Sequence, residues 1–282
     1  MIYINGRLFQ LNSLSNIGKV EEMILQQLHE APVSYSYSST NELLFEVNVR
    51  RNIIKSANAM NEGQAAFTTF EYARCNAEYW YLTKAGGFLL RNDVQPADAI
   101  LDIFENSSQY AFDCSTACVI IFYHAVLNSI GKRPFNANFR NIYLYSWYTD
   151  PDLGVQTSYA NHYLPGDVVY FNNPDFNPRT SWYRGENAVV LNEDRFFGHG
   201  FGIKTSKEMI QSLNKKRKEQ SNQSAYLTSL VTSLSFKQLA QLAVSQRAQT
   251  AVKAPYLVIH HNMSSISCGQ YYYYLNTMRF IR

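Results

Sequence analysis

One stretch constrains this chain more than any other: the apolar segment Cys118 to Ile130, entered without a break from Phe112-Asp113-Cys114-Ser115-Thr116-Ala117. Val119, Ile120, Ile121, Phe122, Tyr123, Ala125, Val126, Leu127 and Ile130 leave almost no polar face, so a helix here must be enclosed by other elements. Gly131, with Pro134 just beyond, supplies a stop signal. The fold has to be built around this inner helix, with Cys114 on its first turn. There the dipole and the unpaired N–H groups favour a thiolate, and therefore a nucleophile.

The length of 282 residues is enough for one large domain or for a core with an elaborated flank. Aromatic residues are heavily used, with 21 Tyr, 17 Phe and 3 Trp, which suits either ordinary packing or a lined channel. A net charge of +3, spread along the chain and without a nucleic-acid motif, argues against nucleic acid as a partner. The start, Met1 to Gly6, has neither a basic nor an apolar leader region, and no apolar run approaches the ~18 residues of a membrane span. Cytosolic synthesis and no membrane partner are therefore expected. Cysteines at 75, 114, 118 and 268 show neither disulfide nor zinc spacing, so no metal and no cofactor are expected. Cys118, one turn below Cys114, reads as a small core residue.

Residues 20 to 30 and 41 to 60 read as amphipathic helices, the second capped by Asn41. Tyr79 to Thr83 and Phe88 to Arg91 form a hairpin around Ala85-Gly86-Gly87, and Ala97 to Phe104 a short helix. Strands are expected at Ile142 to Trp147, at Val168 to Phe171 after the turn Pro165-Gly166-Asp167, at Asn187 to Leu191 and at Phe196 to Ile203. The fold class is α+β, one helix on an antiparallel sheet. A further helix runs from Ser206 to Lys218 and ends in a basic run.

A nucleophilic thiol needs a partner held by regular structure. Of six histidines, only His199, in Gly198-His199-Gly200, combines a strand context with glycines that permit close approach. Arg184 to His199 reads as a hairpin. With Asn192-Glu193 as its turn, Glu186 pairs directly with His199, and a one-residue change in loop length would put them on opposite faces. Asp113 has two readings, as the cap of the inner helix or as an auxiliary active-site carboxylate. Trp147, Trp182 and Tyr183 are candidates for an aromatic substrate channel, with core packing as the alternative.

The order of Asp113-Cys114-Ser115, the apolar helix, the strand Pro165 to Phe171 and the later histidine strand resembles the NlpC/P60 papain-like superfamily. Within it, residues 1 to about 240 resemble the spore-coat protein-glutamine gamma-glutamyltransferases (transglutaminases) of endospore-forming bacilli. Phe112 to Ala117, Arg184-Gly185-Glu186-Asn187 and Gly198-His199-Gly200-Phe201-Gly202-Ile203 are similar to that family's cysteine, acidic and histidine motifs, and Ser224-Ala225-Tyr226-Leu227 to its late helix.

The resemblance implies a papain-like core with Cys114 as nucleophile and Glu186 and His199 as partners, in a calcium-independent reaction. It implies one domain over 1–240, made of a helical flank 1–105, a Cys-helix and sheet core 106–205 and C-terminal helices 206–240. Residues 241–282 form an extension without an assigned role. Substrates would be spore coat proteins with accessible Gln and Lys, met after synthesis in the mother-cell cytoplasm. Self-cross-linking through Lys215 to Lys218 and Gln220 or Gln223 is a further expectation. Asp113 stands where the family has glutamate, and Tyr183 where it has tryptophan. The competing readings are a cysteine peptidase, amidase or deamidase of NlpC/P60 type, and a coat structural protein without activity.

Overall fold

The inner helix spans Cys114–Ile130, and the other elements are arranged around it. A computed structural model of the chain describes residues 1–11, 17–244, 258–261 and 264–267. In chain order these form β1 (Ile2–Ile4), β2 (Arg7–Leu8), α1 (Lys19–Glu30), β3 (Tyr35–Tyr37), α2 (Thr40–Glu62), β4 (Ala66–Phe67), β5 (Trp80–Leu82), β6 (Phe88–Leu90), α3 (Pro96–Glu105), β7 (Ala111–Phe112) and α4, the inner helix. There follow α5 (Lys132–Asn138), β8 (Tyr143–Leu144), β9 (Val155–Tyr159), β10 (Val168–Asn172), β11 (Gly185–Asn192), β12 (Arg195–Gly198), β13 (Gly202–Lys204), α6 (Ser206–Asn214), β14 (Tyr226–Leu234), α7 (Phe236–Val244), β15 (Val258–His261) and β16 (Ser264–Ser267).

The central sheet has six antiparallel strands in the order β13-β12-β11-β10-β14-β9. Its side chains alternate as a pleated sheet covered on both faces requires. Val168, Val189, Leu191 and Phe197 join the core that contains α2 and α4, while Val169, Phe171, Ala188, Val190 and Phe196 pack with Met209 and Leu213 of α6. α2 lies along α4 and bonds to it through two polar pairs, Asn52 to Ser129 and Ser56 to His124, both at 2.9 Å. His124 also stacks on Phe104 with ring centroids 3.8 Å apart, and burial lowers its pKa to about 4, so it is a neutral core residue.

A buried ion network ties α2 to the turn before β10. Arg50 bonds Glu46 Oε1 at 2.8 Å, Asp167 Oδ1 at 2.9 Å and the Pro165 carbonyl at 2.9 Å, and its guanidinium lies 4.5 Å from the Phe236 ring centroid. Tyr37 donates to the second Glu46 oxygen at 2.9 Å.

Several expectations are corrected. The α2 cap is Ser39, whose hydroxyl accepts the Glu42 N–H, rather than Asn41. α4 does stop where expected, capped by Gly131, but a new helix, α5, begins at once and holds Pro134 near its start, where the missing N–H does no harm. The strand expected over Ile142 to Trp147 contracts to β8, because Ser146 takes a positive φ of 51°. Helices across 206–240 are interrupted by β14, so Ser224 to Leu227 leads into a strand. Tyr226-Leu-Thr-Ser-Leu-Val-Thr-Ser-Leu is rich in strand formers and completes the sheet between β10 and β9. The strand expected over Phe196 to Ile203 is a hairpin, β12 and β13, with His199 in its turn.

The β11–β12 register also differs. Asn192 pairs with Arg195, a bulge follows, and Ala188 pairs with Gly198, so Glu186 does not pair with His199. Tyr271 to Tyr274 and Cys268 lie outside the described residues.

Because Arg50 is buried between two carboxylates, Arg50→Ala should lower stability by about 3–5 kcal/mol, measured by urea unfolding. A loss under 1 kcal/mol would show that the network does not hold α2 to the sheet.

Candidate active site

The first turn of a buried helix must find partners for its N–H groups. Asp113 supplies them: one oxygen takes the Ser115 N–H at 3.0 Å and its hydroxyl, and the other takes the Thr116 N–H at 3.2 Å and its hydroxyl. Both carboxylate oxygens thus point at the helix they cap. Burial pushes the Asp113 pKa up against these four hydrogen bonds, which pull it down, and the net shift is upward. Thr116 in turn accepts the Ser146 N–H at 2.9 Å, fixing the segment beside the helix.

Cys114 sits between this cap and β11. Val190 exchanges main-chain bonds with Gly166 and Asp167 on the β10 side, so by strand alternation Asn187 directs its N–H and C=O to the β12 edge. β12 pairs no farther than Gly198 with Ala188, and sulfur fills the opening. The Cys114 sulfur accepts from the Asn187 main-chain N–H and, at 3.6 Å, from its side-chain Nδ2. The Cys118 thiol donates to the Asn187 carbonyl at 3.8 Å, which gives that cysteine a structural role.

The Glu186 carboxyl lies beside the Cys114 thiol, near enough for the two groups to shift each other's titration. Its side chain lies against Gly198, where a Cβ would come within 2.8 Å of Oε1, so the close approach that Gly198 permits is to Glu186. Glu186 is 1% exposed and Oε1 has no hydrogen-bond partner. Burial, and then the Asp113 charge, push its pKa well above the ordinary glutamate range. Burial, followed by Glu186 and Asp113, likewise pushes the Cys114 thiol well up, so at rest the sulfur is a neutral thiol rather than the thiolate expected from its helix position alone. Two groups that repel each other's charge retain one proton between them.

His199 is placed differently. Its Nε2 lies 3.3 Å from the Ala66 carbonyl, it also bonds the Phe112 carbonyl, and its ring stacks on Phe112 with centroids 4.7 Å apart. Its partners are main-chain groups rather than Cys114 or Glu186. Burial lowers its pKa to about 4, leaving a neutral imidazole whose single N–H is shared between these carbonyls at the entrance to α4.

Trp147 is fully buried and lines no open surface, so packing is its role here. Trp182 is 37% exposed. Tyr183 stacks on Phe67 with centroids 6.3 Å apart, contacts Phe201 at 5.8 Å, and carries the Lys216 ammonium 4.7 Å from its centroid. Phe67 also meets His199 at 6.1 Å and takes the space beside Gly200 that a side chain would need. An aromatic surface of Phe67, Tyr183 and Phe201 therefore borders the histidine. Sequence reasoning missed Phe67, Phe201 and the contact of Asn187 with sulfur. Asn187 stands in the acidic motif, where adjacency to Glu186 was the available signal. Among the described residues, no three His, Cys, Asp or Glu side chains converge as a metal-ligand set, and no helix is long and apolar enough to cross a membrane.

Glu186→Gln should raise the melting temperature. The folded state holds the Glu186 proton above the pH at which the unfolded chain releases it, so wild-type stability falls as pH rises through that window, from about 4.5 up to the raised folded value. The advantage of the variant should grow across the same interval, measured by thermal unfolding as a function of pH. An advantage that shrinks with pH would contradict the raised carboxyl.

Residues 1–243 match the family model of protein-glutamine gamma-glutamyltransferase. The chain is 54% identical over 275 residues to a protein-glutamine gamma-glutamyltransferase of Halalkalibacterium halodurans, covering 98% of this chain and 97% of that protein. It is 39% identical over 244 residues to one of Bacillus subtilis, covering 86% of this chain and 99% of that protein. A solved structure, a transglutaminase from Geobacillus stearothermophilus without its C-terminal extension, superimposes with a TM-score of 0.70 at 44% identity, over 74% of this chain and all of that one.

Proposed function

The chain belongs to the protein-glutamine gamma-glutamyltransferase family, and from that premise we propose that Cys114 is the nucleophile and Glu186 the proton carrier of a calcium-independent transamidation, with His199 holding the helix entrance in place. The observation that carries this reading is the buried Glu186 carboxyl beside the half-buried Cys114 thiol at the head of α4, the pKa of each raised by desolvation and by the charge of a neighbouring acid.

The enzyme is an acyltransferase of α+β, papain-like fold, acting on protein substrates with Gln and Lys. In the first half-reaction Glu186 takes the thiol proton as sulfur bonds to the glutamine carboxamide carbon and the carbonyl electrons move onto oxygen. When the oxyanion collapses, the C–N bond breaks and the Glu186 proton passes to the departing nitrogen, releasing ammonia. A thioester and a carboxylate remain. A lysine ε-amine then attacks, gives its proton to Glu186, and expels sulfur, which recovers the proton; the product is an isopeptide. A carboxylate whose pKa burial raises above the ordinary glutamate range is a stronger base for both halves than an ordinary glutamate.

For amine to win over water the thioester must be shielded, and the aromatic surface of Phe67, Tyr183 and Phe201, extended by Trp182, is proposed to do so. The 1–240 unit is proposed to act as one domain, with β14 inside its sheet. Spore coat proteins are the proposed substrates, reached after synthesis in the mother cell; the Bacillus relatives support this reading. Self-cross-linking within Lys215 to Gln223 is proposed as a side reaction, and mass spectrometry of the pure enzyme that finds no isopeptide there removes it.

The enzyme is incubated with a glutamine-bearing protein and a labelled primary amine without added calcium, following amine incorporation and ammonia together. Both should appear for the wild type. Cys114→Ala should abolish both, and Glu186→Ala and His199→Ala should each lower them by about 10²–10⁴-fold. Because His199 is assigned a positioning role, His199→Gln, which keeps a donor for a carbonyl, should recover part of the activity lost in His199→Ala. Ammonia without incorporation would indicate a deamidase or hydrolase. Undiminished turnover in Cys114→Ala would refute the assignment.

A further inference from the structure

We propose that the Asn187 side chain is an oxyanion donor of this reaction, working with the Cys114 main-chain N–H. The inference rests on the proposed thioester chemistry at Cys114 and adds a residue to it.

Acyl transfer to sulfur places negative charge on an oxygen attached to the same carbon as the sulfur. A donor already in contact with the sulfur therefore stands beside the position where that oxygen forms. Asn187 Nδ2 lies 3.6 Å from Cys114 Sγ, and the main-chain N–H of the same residue also points at the sulfur. On the helix side, the Asp113 cap consumes the Ser115 and Thr116 N–H groups and Ala117 bonds the Asp113 carbonyl, which leaves the Cys114 N–H as the first-turn donor among the described residues.

A donor stabilises a transition state most when its orientation is set beforehand. Asn187 is 4% exposed, pairs with Tyr170 on β10, and has its carbonyl held by the Cys118 thiol. Charge also selects this residue type. The oxyanion forms close to Glu186 and Asp113, where a neutral amide adds donors without adding a further acid. The same contact has a second consequence at rest: a carboxamide that donates to the thiol sulfur keeps its hydrogen directed into the reaction centre until a carbonyl oxygen arrives.

The alternative is that Asn187 only holds the thiol, and the two roles separate on different reactions of the same sulfur. Alkylation by iodoacetamide displaces iodide and generates no oxyanion, whereas transamidation must pass through one. Asn187→Ala should lower kcat for amine incorporation by about 10²–10³-fold with KM little changed, while the rate of Cys114 alkylation falls by well under tenfold, the effect of losing one donor to the sulfur. That alkylation also reports a native site. Should Asn187→Ala fail to fold, Asn187→Ser, which retains a short donor, takes its place, with a smaller loss of kcat expected, again larger than the loss in alkylation. Alkylation that falls in parallel with kcat, or kcat within tenfold of wild type, overturns the proposal. If Cys114→Ala keeps full transamidation, the underlying reaction assignment fails and the donor role falls with it. If Cys114→Ala is dead but Asn187→Ala is active, the donor role alone is wrong.

Discussion

Everything at this site follows from enclosing a helix start. α4 has no solvent face along most of its length, so its first N–H groups have no water to fall back on, and Asp113 must satisfy them from inside. An aspartate does this economically, because each oxygen takes one main-chain N–H and one hydroxyl. The consequence for chemistry is a division of labour between two acids. Asp113 has its oxygens committed to the helix, whereas Glu186 retains an oxygen without a partner next to the sulfur. Substituting aspartate for the glutamate of the resembled family shortens the side chain and suits the capping geometry, which needs the carboxylate close to its own backbone.

Burying two acids and a thiol together is unfavourable for folding, and the scaffold around them is correspondingly rigid. Arg50, Glu46, Asp167 and Tyr37 join α2, the β10 turn and the first small sheet, while α2 packs lengthwise on α4. Positions such as Glu186 are those where stability and activity are expected to oppose each other, since an uncharged isostere relieves the desolvation that makes the carboxylate basic. Gly198 shows the same coupling in steric form. A side chain there would press on the Glu186 carboxyl, and on Met209 of α6 as well.

The long-range periodic signals were legible in the sequence. The wholly apolar run gave α4, amphipathic spacing gave α1 and α2, and the punctuated hairpin gave β5 and β6. Three things were not legible, for identifiable reasons. β14 was read through a resemblance to a helix although its own alternation of Thr and Val with Leu favours a strand. The β11–β12 register depends on a turn at Glu193-Asp194, one residue beyond the expected one, and on a bulge between Val190 and Asn192, neither of which a pattern of period two can signal. The contacts of Asn187 with two sulfurs depend on where β12 stops, a property of the tertiary arrangement. The register bears on the chemistry too. In the expected register Glu186 and His199 would form a carboxylate–imidazole pair, whereas the observed one separates them and leaves Glu186 to meet the thiol alone.

That separation distinguishes this centre from an ion-paired thiolate–imidazolium site. With His199 titrating at about 4 and bonded to carbonyls, no imidazolium stands beside the sulfur at neutral pH. In the proposed mechanism the nucleophile rests as a thiol, and its proton passes to Glu186 only when a carbonyl is in place to receive the sulfur electrons. A resting thiolate would react with any soft electrophile that entered, whereas a thiol paired with a carboxylate becomes nucleophilic in the same step that consumes it. The carboxylate then serves the second half-reaction on equal terms. In the proposed reaction it accepts a proton from an incoming amine, with the rings of Phe67, Tyr183 and Phe201 proposed to keep water back. A pair of this kind favours transfer to amine over hydrolysis through the character of its base as well as through the walls around it.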